Sequence, residues 1–233
     1  APAAPAAESG VSSDIEVIVD DNNPIHGVTG CDRYVARAIH GFDPTNHTPN
    51  WMRRRLIRAG MRSISLAVDV TNYVMLDLGQ PMHAYDLDKI EGPIVVRRAA
   101  EGEKLTTLDG KEHDLSVEDL LITDSPDGKR GSRILGIAGV MGGLYGEVTA
   151  DTKNILLEAA HFDSVSIARS ARRHKIPSEA SRRFERGVDT QLQPAAAQMA
   201  AELLTKFGNG EPSGHPTDVN TTMYRRPIPF KAT

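Results

Sequence analysis

Ile155-Leu156-Leu157-Glu158-Ala159-Ala160-His161-Phe162 is an apolar run with one carboxylate at its centre, and it reads as a strand. It closes a series. Upstream, residues 15–19, 34–39, 94–97, 105–108, 120–123 and 135–141 have the β-branched or alternating look of strands. Asp109-Gly110 is a hairpin turn because glycine supplies positive φ, and Asp127-Gly128 marks another. Downstream, residues 168–174, 178–186 and 194–207 read as helices, the last docked through Met199, Leu203 and Phe207. Two helices interrupt the strands. One runs from Thr48-Pro49 to Gly60 with Trp51, Met52, Leu56 and Ile57 on one face and Arg53, Arg54, Arg55 and Arg58 on the other. The second covers 68–78, with Val70, Val74 and Leu78 in register and Gly79 at its end. Strands followed by helices predict an α+β fold, a layered β-sheet sandwich covered by helices, as a single domain with flexible tails.

The carboxylate in the strand demands an explanation. A buried glutamate is costly unless it is paired or serves a ligand, so Glu158 is either ion-paired on a sheet face or part of a site. A second signal lies at Asn72-Tyr73-Val74-Met75-Leu76 and Gly79-Gln80-Pro81-Met82-His83-Ala84-Tyr85-Asp86, where an imidazole follows a Gly/Pro turn directly after a helix. His83 is expected in a loop, either bonded to backbone or oriented into a polar pocket. Gly139-Val140-Met141-Gly142-Gly143 is a sheet bend or a place where backbone approaches a ligand closely. It lacks the Gly-Lys-Ser/Thr ending of a nucleotide-binding loop. Arg169, Arg172, Arg173, Lys175, Arg182, Arg183 and Arg186 form either a solvated, ion-paired face or a polyanion contact.

Composition narrows the classes. The chain has 233 residues, 39% of them hydrophobic, enough to bury a core unaided. Cys31 is the only cysteine, so an intrachain disulfide and a cysteine-built zinc site are both excluded, which fits a reducing, cytoplasmic setting. His83, His113, His161 and His174 lack metal-ligand spacing, so no metal is expected. A net charge of −4 argues against bulk coating of nucleic acid and leaves RNA contact to a local basic patch. No apolar run approaches the ~18 residues that span a bilayer, so no membrane partner is expected. Residues 1–13 are expected to be a linker, 14–208 the folded domain, and 209–233 a linker with the truncated start of a following domain. The absent initial methionine and the abrupt end after Arg225-Arg226-Pro227 suggest a piece of a longer protein.

Four strings in order carry a family resemblance: the 72–86 segment, Gly139 to Gly143, Asn154 to Ala160, and Arg172 to Asp189. Together they resemble the editing domain of bacterial phenylalanyl-tRNA synthetase β subunits, over roughly residues 30 to 207. The resemblance implies hydrolysis of the ester of mischarged tyrosyl-tRNA(Phe), with Glu158 recognising the tyrosine hydroxyl and His83 orienting water or ester. It places Asn72, Pro81 and Gly142 on the pocket, and Ser178 and Ala180 on its far wall; Ser178 also reads as a helix N-cap. Arg172, Arg173, Lys175, Arg182 and Arg183 become candidate contacts for the acceptor end of tRNA(Phe). The resemblance further implies an α-subunit partner in a heterotetramer, no cofactor on this chain, and ATP and Mg2+ only elsewhere in the full enzyme. Ester hydrolysis, not ATP-dependent ligation, is therefore the expected activity. The alternatives are a noncatalytic structural or RNA-contacting module of the same subunit and a free-standing deacylase.

Overall fold

The structure is a computed structural model that describes residues 15–222. The elements, in chain order, are β1 (Val17–Asp20), β2 (Cys31–His40), α1 (Asn50–Arg58), α2 (Leu66–Leu78), β3 (Met82–Asp86), β4 (Ile94–Arg98), β5 (Lys104–Thr106) and β6 (Glu112–Asp114). There follow β7 (Leu120–Asp124), β8 (Arg133–Ile137), β9 (Met141–Gly142), β10 (Ile155–Phe162), α3 (Ser164–His174), α4 (Glu179–Phe184), α5 (Gln193–Gly208), β11 (Glu211–Pro212) and β12 (Thr217–Asn220). One sheet is ordered β1-β4-β7-β8-β9, a second β11-β2-β10-β3 with β12 also on β2, and β5-β6 is a separate hairpin. The architecture is α+β, as the order of elements predicts.

Two cores explain the layering. Strand residues alternate between faces, so β10 sends Leu156 and Ala160 one way and Ile155 and Leu157 the other. Leu156 and Ala160 join Tyr34, Tyr85, Val96, Leu121, Leu135 and Ile137 between the two sheets. Ile155 and Leu157 join Ile39 and Ala84 beneath α1, α2 and α5, against Leu56, Val70, Val74 and Leu204. A strand buried on both faces has to be apolar along its whole length, which is why its single carboxylate stands out. Among the described residues no helix is long and apolar enough to cross a membrane.

Four expectations are corrected. His83 is not in a loop: it lies in β3, which pairs antiparallel with β10. The strand is short, and its partner lies about seventy residues downstream, so local pattern concealed it. Residues 135–141 are not one strand but the hairpin of β8 and β9, turned at Gly139 with φ +64. The segment expected as a linker from 209 enters the second sheet, where β11 pairs with His40 and Ile39, and β12 with residues 33–36. Gly210, Gly214 and Pro216 flank these short strands, while Pro212 lies within β11. Helix α3 starts four residues before the expected 168, because the Asp163 side chain accepts the Ser166 N–H and caps it. The expected linker at 1–13 and the segment from 223 onward lie outside the described residues.

Candidate functional site

The site is built by register. Across the second sheet Ala36, Glu158 and His83 stand in one row, on β2, β10 and β3. Directly opposed residues share a face with Cβ atoms roughly 5 Å apart, so the carboxylate and the imidazole are neighbours. On the diagonals lie Tyr34, opposite Ala160, and Tyr85, opposite Leu156. Both phenols reach back over that distance: Tyr34 donates to Glu158 Oε2 at 2.9 Å and Tyr85 to the same oxygen at 2.8 Å. The other oxygen, Oε1, accepts no hydrogen bond among the described residues. Among the described residues no arginine pairs with Glu158. Tyr34 and Tyr85 were not legible as site residues, because they lie 124 and 73 positions from Glu158 in sequence. The one available signal was the need of a buried carboxylate for donors.

Burial sets the charges. It pushes Glu158 up from 4.5 to about 7 against the two hydrogen bonds that pull it down. Burial, and then the charge of Glu158, holds both tyrosine hydroxyls well above their ordinary range, so they stay donors. Burial also draws His83 down from 6.5 to about 4, which leaves it neutral at physiological pH. Its ring lies edge-on to Tyr85, with centroids 4.4 Å apart.

The opposite wall comes from the β8–β9 hairpin. A Cβ on Gly142 would lie 2.7 Å from His83 Cε1 and 2.9 Å from Nε2, so the absent side chain is the space the imidazole occupies. At Gly139 a Cβ would meet Phe184 at 2.9 Å and Phe162 at 3.0 Å, in addition to requiring positive φ. The turn that leads from α2 into β3 is pinned by Gln80, fully buried, whose Nε2 donates to the carbonyls of Pro81 and Ala160. Gln193 of α5 donates to Gln80 Oε1 at 2.8 Å and closes the network. These bonds fix where β3 begins and hence which face His83 takes.

The result is a cavity of about 70 Å³. A single water takes roughly 10–15 Å³ on this measure, so the cavity admits a small ring but not a nucleotide. Pro81, His83, Gly142, Glu158 and Ala180 line it together with Tyr85. Asn72, on α2, and Ser178 do not line it. Ser178 caps α4 instead: its hydroxyl accepts the Ser181 N–H and the Ser181 hydroxyl accepts the Ser178 N–H, both at 3.0 Å. That cap orients the helix that carries Ala180 and Phe184 to the cavity wall. Among the described residues no cluster of three His, Cys, Asp or Glu is placed to hold a metal ion.

The basic cluster behaves otherwise than as one surface. Arg173 binds Glu118 and, at 2.6 Å, the fully buried Asp119, while Arg169 binds Glu118. Arg182 and Arg183 both pair with Glu179. Arg172 and Lys175 are exposed and unpaired among the described residues. Much of this charge is therefore spent within the fold.

The profile of the B3/4 domain family matches residues 30–209. The phenylalanine-tRNA ligase beta subunit of Bifidobacterium longum (strain NCC 2705) is 83% identical over 225 residues, which is 97% of this chain and 26% of that protein. The phenylalanine-tRNA ligase beta subunit of Streptomyces avermitilis is 55% identical over 195 residues, 82% of this chain and 23% of that protein. The chain thus spans about a quarter of the length of the curated relatives it matches. A solved N-terminal fragment of the phenylalanyl-tRNA synthetase beta subunit from Pyrococcus horikoshii overlaps it with TM-score 0.44 and 18% identity, covering 70% of this chain and 50% of that one.

Proposed function

This chain belongs to the B3/4 domain family, and from that premise and the cavity's chemistry we propose that it is the editing module of a phenylalanine-tRNA ligase β subunit. In this reading it hydrolyses the ester of tyrosyl-tRNA(Phe) and spares the phenylalanyl ester. The observation that carries the reading is a buried carboxylate with one oxygen held by two tyrosines and the other free beside a ring-sized cavity.

Tyrosine and phenylalanine differ by one hydroxyl. A pocket shaped for phenylalanine rejects the added hydroxyl weakly, whereas a site built to hydrogen-bond it rejects the analogue lacking it by ~10⁴ or more. Glu158 Oε1 is the acceptor such a site needs. Because Oε2 already receives two hydrogen bonds, protonation falls on Oε1 and turns that acceptor into a donor. The ionised form is the stronger acceptor for the tyrosine hydroxyl. Phenylalanine would leave the carboxylate desolvated and unpaired, a cost that works against it.

His83 stands beside Glu158 with a pKa near 4, too low for efficient proton abstraction at neutral pH. Its role in this reading is to accept a hydrogen bond from the attacking water and hold it toward the ester carbonyl. An ester is reactive enough that positioning supplies much of the rate. A ribose hydroxyl of the terminal nucleotide is the natural partner for the developing charge. The reaction uses no cofactor, and ATP, Mg2+ and the α subunit belong to the ligation chemistry of the whole enzyme.

The test is the single-turnover deacylation of tyrosyl-tRNA(Phe) and phenylalanyl-tRNA(Phe) by this chain, beside Glu158→Ala. Fast hydrolysis selective for tyrosine, with the preference lost in the variant, is expected. Equal acceleration of the two esters by the wild type would exclude the reading and leave an unselective deacylase, and no acceleration of either would leave a structural or RNA-contacting module.

A further inference from the structure

Between Asp43 and Asp69 the chain has no acidic side chain and five arginines, in a protein whose net charge is −4. Arg55 is committed within the fold: it donates to the Tyr73 hydroxyl at 2.7 Å and lies 5.4 Å from the Trp51 ring centroid. Arg53, Arg54, Arg58 and Arg62 are exposed and unpaired among the described residues. Asp69 cannot neutralise them, because it is fully buried and takes hydrogen bonds from Thr48 Oγ1, Ser63 Oγ and the Ile64 N–H. Arg54 and Arg58 are one turn apart on the same face of α1, and Arg62 follows its end. The contrast with α3 and α4, where Glu118, Asp119 and Glu179 answer the arginines, is direct.

We propose that this face of α1 binds the phosphate backbone of RNA, namely the body of the tRNA whose 3′ ester the cavity receives. The proposal rests on the editing reading for the identity of the RNA. Consecutive unneutralised guanidinium groups with no interleaved acid complement a phosphate chain, which positions an RNA without reading its sequence. Helix α1 packs on α2, and α2 runs through Gly79–Pro81 into β3, the edge strand that carries His83. The cavity and α1 lie on opposite faces of that sheet. In the proposal the RNA passes round the β3 edge, with its 3′ end in the cavity and its backbone on α1.

The experiment is equilibrium binding of the full chain to unacylated tRNA across a salt series, beside the quadruple variant Arg53→Gln, Arg54→Gln, Arg58→Gln, Arg62→Gln and its Lys counterpart. Loss of four phosphate contacts is expected to weaken binding by ~10-fold or more and to reduce the log–log salt slope by about 3. The Lys variant keeps the charge and most of the binding. Wild-type affinity and slope in the Gln variant, or no tRNA binding by the wild type, would overturn the proposal. So would a Gln variant that binds polyglutamate ~10-fold or more weakly than the wild type while retaining wild-type affinity for tRNA, which marks an acidic protein segment as the occupant. Hydrolysis of a tyrosyl ester on a short CCA oligonucleotide, too small to reach α1, separates the two readings. The Gln variant is expected to process it at the wild-type rate. If the wild type does not cleave it, the cavity reading fails while the tRNA binding series still decides the role of α1.

Discussion

At the residue scale, Glu158 and His83 carry opposite shifts from one cause, burial side by side between two sheets. Glu158 is raised from 4.5 to about 7, so its contribution to stability is full below the unfolded value and is lost as pH climbs through 7. The 2.5-unit span corresponds to about 3 kcal/mol. His83 is lowered from 6.5 to about 4, so the folded state loses stability as pH falls from 6.5 through 4. Between about pH 4.5 and 6.5 the two slopes oppose and nearly cancel. Glu158→Gln is therefore expected to expose the histidine slope, with stability rising from pH 4 to 6.5 in urea titrations, where the wild type is nearly flat across the overlap. A flat profile in the variant would show that His83 is not held neutral by the fold. The same ionisation controls function: tyrosyl-over-phenylalanyl selectivity is expected to rise through about pH 7 in the wild type. Tyr34→Phe and Tyr85→Phe each remove one donor to Oε2 and are expected to move that midpoint upward, a readout that loss of packing alone would leave in place.

At the element scale, the β8–β9 hairpin and the α4 cap set the cavity walls. Gly142→Ala places a methyl where the His83 ring lies, and is expected to slow hydrolysis at least ~10-fold with a small change in melting temperature. Unchanged turnover would mean that the imidazole's position is not needed. Ser178→Ala deletes one half of a reciprocal cap and is expected to cost about 1 kcal/mol, with Ser178→Thr retaining most of it. Some of this was legible in the chain. The stops at Gly79 and Gly110 sit where the sequence puts them, with φ +78 and +79, because a positive-φ turn is a local steric demand. The strand character of 82–86 was not legible, because it exists only through its ladder with β10. The bend at Gly139 was legible as one of two readings of the 139–143 glycines, although the apolar residues of 135–141 also read as one strand until Gly139 turns them into a hairpin.

At the scale of the whole molecule, the second sheet is enclosed on both faces, by the first sheet and by α1, α2 and α5. Leu156 and Leu157 point into different cores, and both are fully buried. Leu156→Ala and Leu157→Ala are each expected to destabilise the chain by roughly 2–5 kcal/mol in urea unfolding. A near-neutral result for either would show that one face is open to solvent. By itself the sequence determined the fold class, the long helices, the glycine stops at Gly79 and Gly110, the presence of a buried carboxylate and the family resemblance, because propensity, turns and burial cost act over a few residues. It also pointed to Pro81, His83, Gly142 and Ala180 beside Glu158, and these do meet at one cavity. Only the tertiary structure decided which donors answer that carboxylate and which oxygen they leave free. It alone decided, too, which arginines are neutralised and which stay free. The physical reason is shared by both. Strand register and ion pairing join residues tens to more than a hundred positions apart, and the energy that fixes them comes from burial, which exists only once the layers have closed.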